Sequence, residues 1–192
     1  MIRAFIAITL PAALQQEIER VQDDMRRQMP GWRWVKPANV HLTLKFLGEM
    51  PLDRVESIVR AMERGVAGQK IFPLYARSLG CFPDLTRPRI LWMGLDDPHQ
   101  ALGPLHARLE AALAEQGCPP EKRPFRPHLT IARAQANGDR GRLGMLLRTY
   151  HAEQFGAISV ACMRLVQSQL HRDGAVYTNL QSVAFREQSD TP

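Results

Sequence analysis

A duplicated fold of strands and helices, each half running strand, helix, strand, is what the sequence predicts. The unit His-Leu-Thr-Leu at residues 41–44 returns as His-Leu-Thr-Ile at residues 128–131, each time inside an apolar run that reads as a strand. Before each unit stand, in the same order, a short apolar run and an amphipathic helical pattern. From Arg3 to His41 is 38 positions and from Arg89 to His128 is 39. Shared order, shared motif and shared spacing point to an internal duplication with a pseudo-two-fold axis.

The elements follow from local pattern. Residues 3–10 are a short apolar run, and Pro11 opens a helix whose apolar positions Leu14, Ile18, Val21 and Met25 fall on one face. Pro30 and Gly31 punctuate, Trp32 and Trp34 follow, and the first motif strand ends at Gly48. Leu52, Val55, Ile58, Val59 and Met62 make a second amphipathic helix over residues 52–66. Residues 71–81 read as a strand and 81–89, with Pro83 and Pro88, as a loop between the halves. The second half opens with a strand at 89–95 and a helix lined by Leu102, Leu105, Leu109 and Leu113. The polar stretch 135–142 reads as a mobile connection, and 158–169 and 175–185 as two strands joined by a turn at 171–174, where Asp-Gly is a strong hairpin signal. Residues beyond Glu187 read as a frayed tail on a single domain spanning 1–192.

Composition narrows the class. At 192 residues, 45% hydrophobic and 23% charged, the chain supports a real core. No run approaches the roughly 20 apolar residues of a membrane span, and the start lacks a signal-peptide layout, so a cytoplasmic address and no membrane partner are expected. Cys81, Cys118 and Cys162 are odd in number and scattered, which reads as buried reduced thiols. The net charge of +6, mostly from arginine, fits a polyanionic substrate and equally a solvated basic surface. Without a His-Glu-x-x-His, clustered carboxylates or a Cys/His set, neither metal nor other cofactor is expected.

Strand side chains alternate between faces, so His41 and Thr43 share one face, and His128 and Thr130 share one face of theirs. Side by side, the strands gather two imidazoles and two hydroxyls. That set suits a 2′,3′-cyclic phosphate, whose hydrolysis needs a base for water, an acid for the departing ribose oxygen, and donors for the phosphoryl oxygens. Phe46 and Arg133, each five residues beyond its histidine, are candidates to stack on a base and to pair with phosphate. Lys45, Arg123 and Arg126 flank the motifs as candidates to steer an RNA tail, whereas His99, His106, His151 and His171 read as surface residues. Chemistry alone leaves open which histidine is the acid.

Beyond these motifs the chain resembles the 2H phosphoesterases, and within them the RNA 2′,3′-cyclic phosphodiesterases, also described as 2′-5′ RNA ligase-like proteins. The resemblance rests on Arg-Ala-Phe-Ile-Ala-Ile from Arg3, Trp-Val-Lys-Pro from Trp34, His-Leu-Thr-Leu-Lys-Phe-Leu-Gly from His41, Pro-Arg-Ile-Leu-Trp from Pro88, and Pro-Phe-Arg-Pro-His-Leu-Thr-Ile-Ala-Arg from Pro124. It implies a bilobal α+β fold with antiparallel sheets lining a central cleft and helices outside. It also implies metal-independent conversion of RNA or nucleotide cyclic phosphate ends to 2′-phosphomonoesters, with His41 as proton donor and His128 as proton acceptor. A monomer is expected. A 2′-5′ RNA ligase and a non-catalytic RNA-end-binding module are the alternatives.

Overall fold

The computed structural model describes residues 1–135, 140–172 and 174–187. Its elements are β1 (Ile2–Thr9), α1 (Ala12–Gln28), β2 (Trp32–Trp34), β3 (His41–Met50), α2 (Val55–Gly65), β4 (Phe72–Phe82), β5 (Ile90–Asp96), α3 (Leu102–Ala114), β6 (His128–Ala134), α4 (Arg140–Thr149), β7 (Gln154–Val160), β8 (Cys162–His171) and β9 (Gly174–Ala184). One antiparallel sheet runs β7-β4-β5-β6-β3-β1-β8-β9, with β2 on β6. The expected duplication is visible in that order: the motif strands β3 and β6 lie at the centre, flanked by β1 and β5, then by β8 and β4, then by β9 and β7. This is an α+β fold.

The helices cover one face of the sheet with the stripes their sequences predict. Leu14, Ile18, Val21 and Met25 of α1 are buried, as are Ile58 and Met62 of α2 and Leu102, Leu105, Leu109 and Leu113 of α3. Gly65 lets α2 and α3 approach, since a Cβ there would lie 3.1 Å from the Leu109 Cα. Gln22, buried on α1, donates to the carbonyls of Val35 (2.7 Å) and Ile131 (3.0 Å), locking the helix behind β6. The other face carries a small apolar floor of Phe5, Ala7 and Val166. Strand β1 is therefore buried on both faces from Ala4 to Ile8, which is why its sequence does not alternate. Among the described residues no helix is long and apolar enough to cross a membrane.

Two expectations need correction. The expected strand 158–169 is two strands broken at Ala161, because β7 pairs with β4 in one half while β8 pairs with β1 in the other. In the stretch expected to be a mobile connection, residues from Arg140 belong to α4, which buries Leu143 and Leu146 and leads into buried Tyr150 where the sequence shows only a short apolar pattern. Residues 136–139 of that stretch, Asp173 of the hairpin turn and the tail beyond Glu187 lie outside the described residues. The 171–174 hairpin itself is present, joining β8 to β9.

Gly80 stands opposite Trp92 on β5, and a Cβ there would come within 2.2 Å of the indole. A rigid ring in a packed site cannot yield cheaply, so Gly80→Ala is expected to destabilise by about 1–3 kcal/mol. A urea unfolding curve with a lowered midpoint and unchanged slope checks this.

Candidate active site

The motif strands meet at a single register pair, Leu42 opposite Leu129. Both leucines are fully buried on the helix side. In antiparallel register that pair sets His41 across from Thr130 and Thr43 across from His128, so the four side chains form the corners of one patch on the cleft face.

Beyond each threonine the register slips by one. On β1, Thr9, Ala7 and Phe5 stand opposite His41, Thr43 and Phe46, with one extra residue on β3 between the last two pairs. On β5, Gly94, Trp92 and Ile90 stand opposite His128, Thr130 and Arg133, with one extra residue on β6. Strict alternation would turn position five after each histidine toward the core. The bulges reverse that parity, so Phe46 and Arg133 both rejoin the cleft face, and both are exposed.

Each histidine is held by the same device. Nδ1 of His41 lies 2.8 Å from the Asn39 carbonyl, and Nδ1 of His128 lies 2.6 Å from the Arg126 carbonyl. A carbonyl only accepts, so Nδ1 carries hydrogen in both rings and Nε2 remains for chemistry. Ring packing holds the orientation. His41 stacks on Phe5 at 4.6 Å between centroids, with Tyr177 edge-on to both, and Phe82 meets His128 edge-on at 5.0 Å. Neither threonine hydroxyl has a partner among the described residues. Arg133 lies close enough to act electrostatically on both His41 and Tyr177.

Burial pushes the His41 imidazole below its ordinary pKa; its bond to Asn39 opposes this, and the charges of Arg133 and His128 add to it. Burial pushes the Tyr177 phenol up, against the pull of Arg133 and Arg3. The patch thus favours uncharged His41 until an anion arrives. Among the described residues no group of three His, Cys, Asp or Glu side chains is placed to hold a metal ion.

A family model described as "LigT like Phosphoesterase" matches residues 8–92 and again 94–177, one match to each half. The chain belongs to the LigT-like phosphoesterases. The chain is similar over most of its length to the RNA 2′,3′-cyclic phosphodiesterases of Aquifex aeolicus and Methanothermobacter thermautotrophicus. The first is 31% identical over 93% of this chain and 94% of its own, the second 31% over 94% and 97%. Among solved structures, TT0787 of Thermus thermophilus superposes with a TM-score of 0.82 at 28% identity, covering 97% of this chain and 99% of its own. E. coli LigT complexed with 3′-AMP superposes with a TM-score of 0.75 at 28% identity, covering 96% and 98%.

In this LigT-like phosphoesterase the structure brings His41, Thr43, His128, Thr130, Phe46 and Arg133 to one face. Lys45 is not with them. The bulge that turns Phe46 outward turns Lys45 inward, opposite Ile6, where it is 3% exposed. Its Nζ is bound to the Glu110 carboxylate at 2.9 Å and to the Pro119 carbonyl at 2.7 Å, so it has no reach to an RNA tail. Arg126 is exposed, and its observed contribution is its carbonyl on His128. His106, expected at the surface, is half-buried and stacks on Phe125 at 3.9 Å. The sequence reading missed Phe5, Tyr177 and Phe82, which pack the histidine rings. Only the register, unknown in advance, singles them out from other strand aromatics.

Proposed function

We propose that this cleft hydrolyses 2′,3′-cyclic phosphate ends of RNA or nucleotides to 2′-phosphomonoesters, with His41 as acid and His128 as base. The observation that carries the reading is the matched pair of imidazoles, each fixed through Nδ1 to a carbonyl two residues upstream, at opposite corners of a patch completed by two free hydroxyls. The names of the Aquifex and Methanothermobacter relatives agree with it.

In this mechanism Nε2 of His128 takes a proton from water as the water oxygen attacks phosphorus. The bond from phosphorus to O3′ breaks, and Nε2–H of His41 protonates the departing oxygen. Thr43 and Thr130 donate to the non-bridging oxygens, whose charge grows in the transition state, so their bonds strengthen where it lowers the barrier. Fixed on strands, they lose little freedom on binding. The bound diester anion lifts the pKa of His41 back toward the protonated state that an acid needs. Both histidines come from one chain, so a monomer in the cytoplasm suffices. With the 5′-hydroxyl of a second RNA end attacking in place of water, the same pair in the same roles opens the ring and joins the ends, driven only by ring strain and in competition with abundant water, which makes ligation the minor outcome.

Phe46, 60% exposed on the cleft face, offers its ring to the base. Base–aromatic stacking is worth about 1–3 kcal/mol, so Phe46→Ala is expected to raise KM about tenfold and leave kcat nearly unchanged. Steady-state kinetics on one cyclic nucleotide checks it. The reading as a whole is tested by incubating an oligonucleotide ending in a 2′,3′-cyclic phosphate with the protein in EDTA and resolving the products. A 2′-phosphate end is expected; a 3′-phosphate end, or no turnover, contradicts it.

A further inference from the structure

Strand β2 places Arg33 directly opposite Arg133 on β6. Their neighbours settle which way they face: Trp32 and Ala132 are buried in the helix-side core, and Trp34 and Ala134 pack against it, so both arginines stand on the cleft face. Both are exposed, and neither makes an ion pair or hydrogen bond with any described residue. Like charges directly opposite on paired strands, with Cβ atoms about 4.5–5.5 Å apart, are destabilising. A folded protein that keeps such a pair uncompensated on the wall of an anion-processing cleft has a use for it.

The pair lies at the His41 end of the patch. Arg133 acts electrostatically on His41, and Nη2 of Arg33 sits 3.8 Å from where a Cβ on Gly174, the first residue of β9, would be. The start of β9 is tied back to the segment before His41 by Asn39 Nδ2, which donates to the Ala175 carbonyl at 2.8 Å. Arg33, Arg133, the start of β9 at Gly174 and Ala175, and the His41 anchor thus border one corner of the cleft. If His41 protonates O3′, the terminal ribose sits beside this corner, and the next group along an RNA chain is the phosphodiester on its 5′ side.

We propose that Arg33, set against Arg133, forms a subsite for that upstream phosphodiester, making RNA ends better substrates than free cyclic nucleotides. It rests on the hydrolase reading above for the placement of the ribose. Two guanidinium forks on adjacent strands present paired N–H donors to one phosphate, a geometry a lysine does not reproduce.

The test compares wild type, Arg33→Gln and Arg33→Lys on two substrates: uridine 2′,3′-cyclic phosphate, which has no second phosphate, and a dinucleotide ending in the same cyclic phosphate. Arg33→Gln is expected to lower kcat/KM on the dinucleotide about tenfold, through KM, and to shift the mononucleotide by less than about twofold. The log–log salt slope for the dinucleotide is expected to fall by about one. Arg33→Lys is expected to restore the slope and only part of the affinity. Equal losses on both substrates, or none on the dinucleotide, would overturn the subsite. Should wild type turn over neither substrate, the hydrolase reading fails, and binding of a 2′-phosphate-ended dinucleotide decides the subsite alone. Binding about tenfold weaker in Arg33→Gln supports it, and unchanged binding overturns it.

Discussion

Replacing either His41 or His128 with alanine is expected to remove nearly all turnover of a cyclic phosphate, each by about 10²- to 10⁴-fold. In the proposed mechanism the two act on one phosphorus in one step, so the double variant is expected to fall little below the worse single variant, because groups acting as a unit are not additive. Rate measurements on all three variants, with thermal unfolding to show that the fold is retained, check this. His41→Ala loses its stack on Phe5 and should be the less stable of the two. The pH dependence has a defined sign. An acid must be protonated, and burial, Arg133 and His128 all depress the pKa of His41. Activity in kcat/KM, which reports the free enzyme, should therefore fall as pH rises through a value below the ordinary imidazole pKa of about 6.5. Arg133→Gln removes one depressing charge, so that alkaline limb should move to higher pH even as affinity drops.

Removing Glu110 is expected to have the largest effect on stability. Glu110→Ala strands the Lys45 ammonium in a site only 3% exposed, with the Pro119 carbonyl as its one remaining partner. Breaking a buried pair from one side costs about 3–5 kcal/mol, most of it the penalty of an uncompensated charge. Lys45→Met with Glu110→Leu removes both charges and should recover most of the loss. Denaturant titration of the two variants distinguishes the cases. The salt dependence of RNA binding should be the same in the double variant as in wild type, since Lys45 faces the core.

Lys45 also shows where the sequence stopped being legible. The repeat of His-x-Thr, its lead-in spacing and the helix stripes are local patterns of period two and period 3.6, and they located β1, β3, β5, β6, α1, α2 and α3 within a few residues. A bulge is a one-residue slip that period-two reasoning does not contain. Alternation places Lys45 with His41 and Thr43 on the cleft face and Phe46 opposite them; the slip on β3 exchanges the two, and the matching slip on β6 does the same for Arg133. Spacing alone singles out Phe46 and Arg133 as candidates, and the bulges supply the physical reason they face the cleft. Trp32 to Trp34 forms a strand only because β6 offers an edge, and the break at Ala161 exists because β7 and β8 serve different halves. Both are decided by partners distant in sequence. Arg33 stayed unread for the same reason: its significance is the arginine across from it.

The proposed hydrolysis is a single in-line displacement at phosphorus, with water entering beside one histidine as the ribose oxygen leaves beside the other. Hydrolysis of one diastereomer of a 2′,3′-cyclic phosphorothioate in ¹⁸O-labelled water reads this from the configuration of the product. One displacement inverts phosphorus, and inversion is the predicted result. Retention would require two displacements through a covalent phosphoryl-enzyme, and would contradict an acid/base role for both histidines.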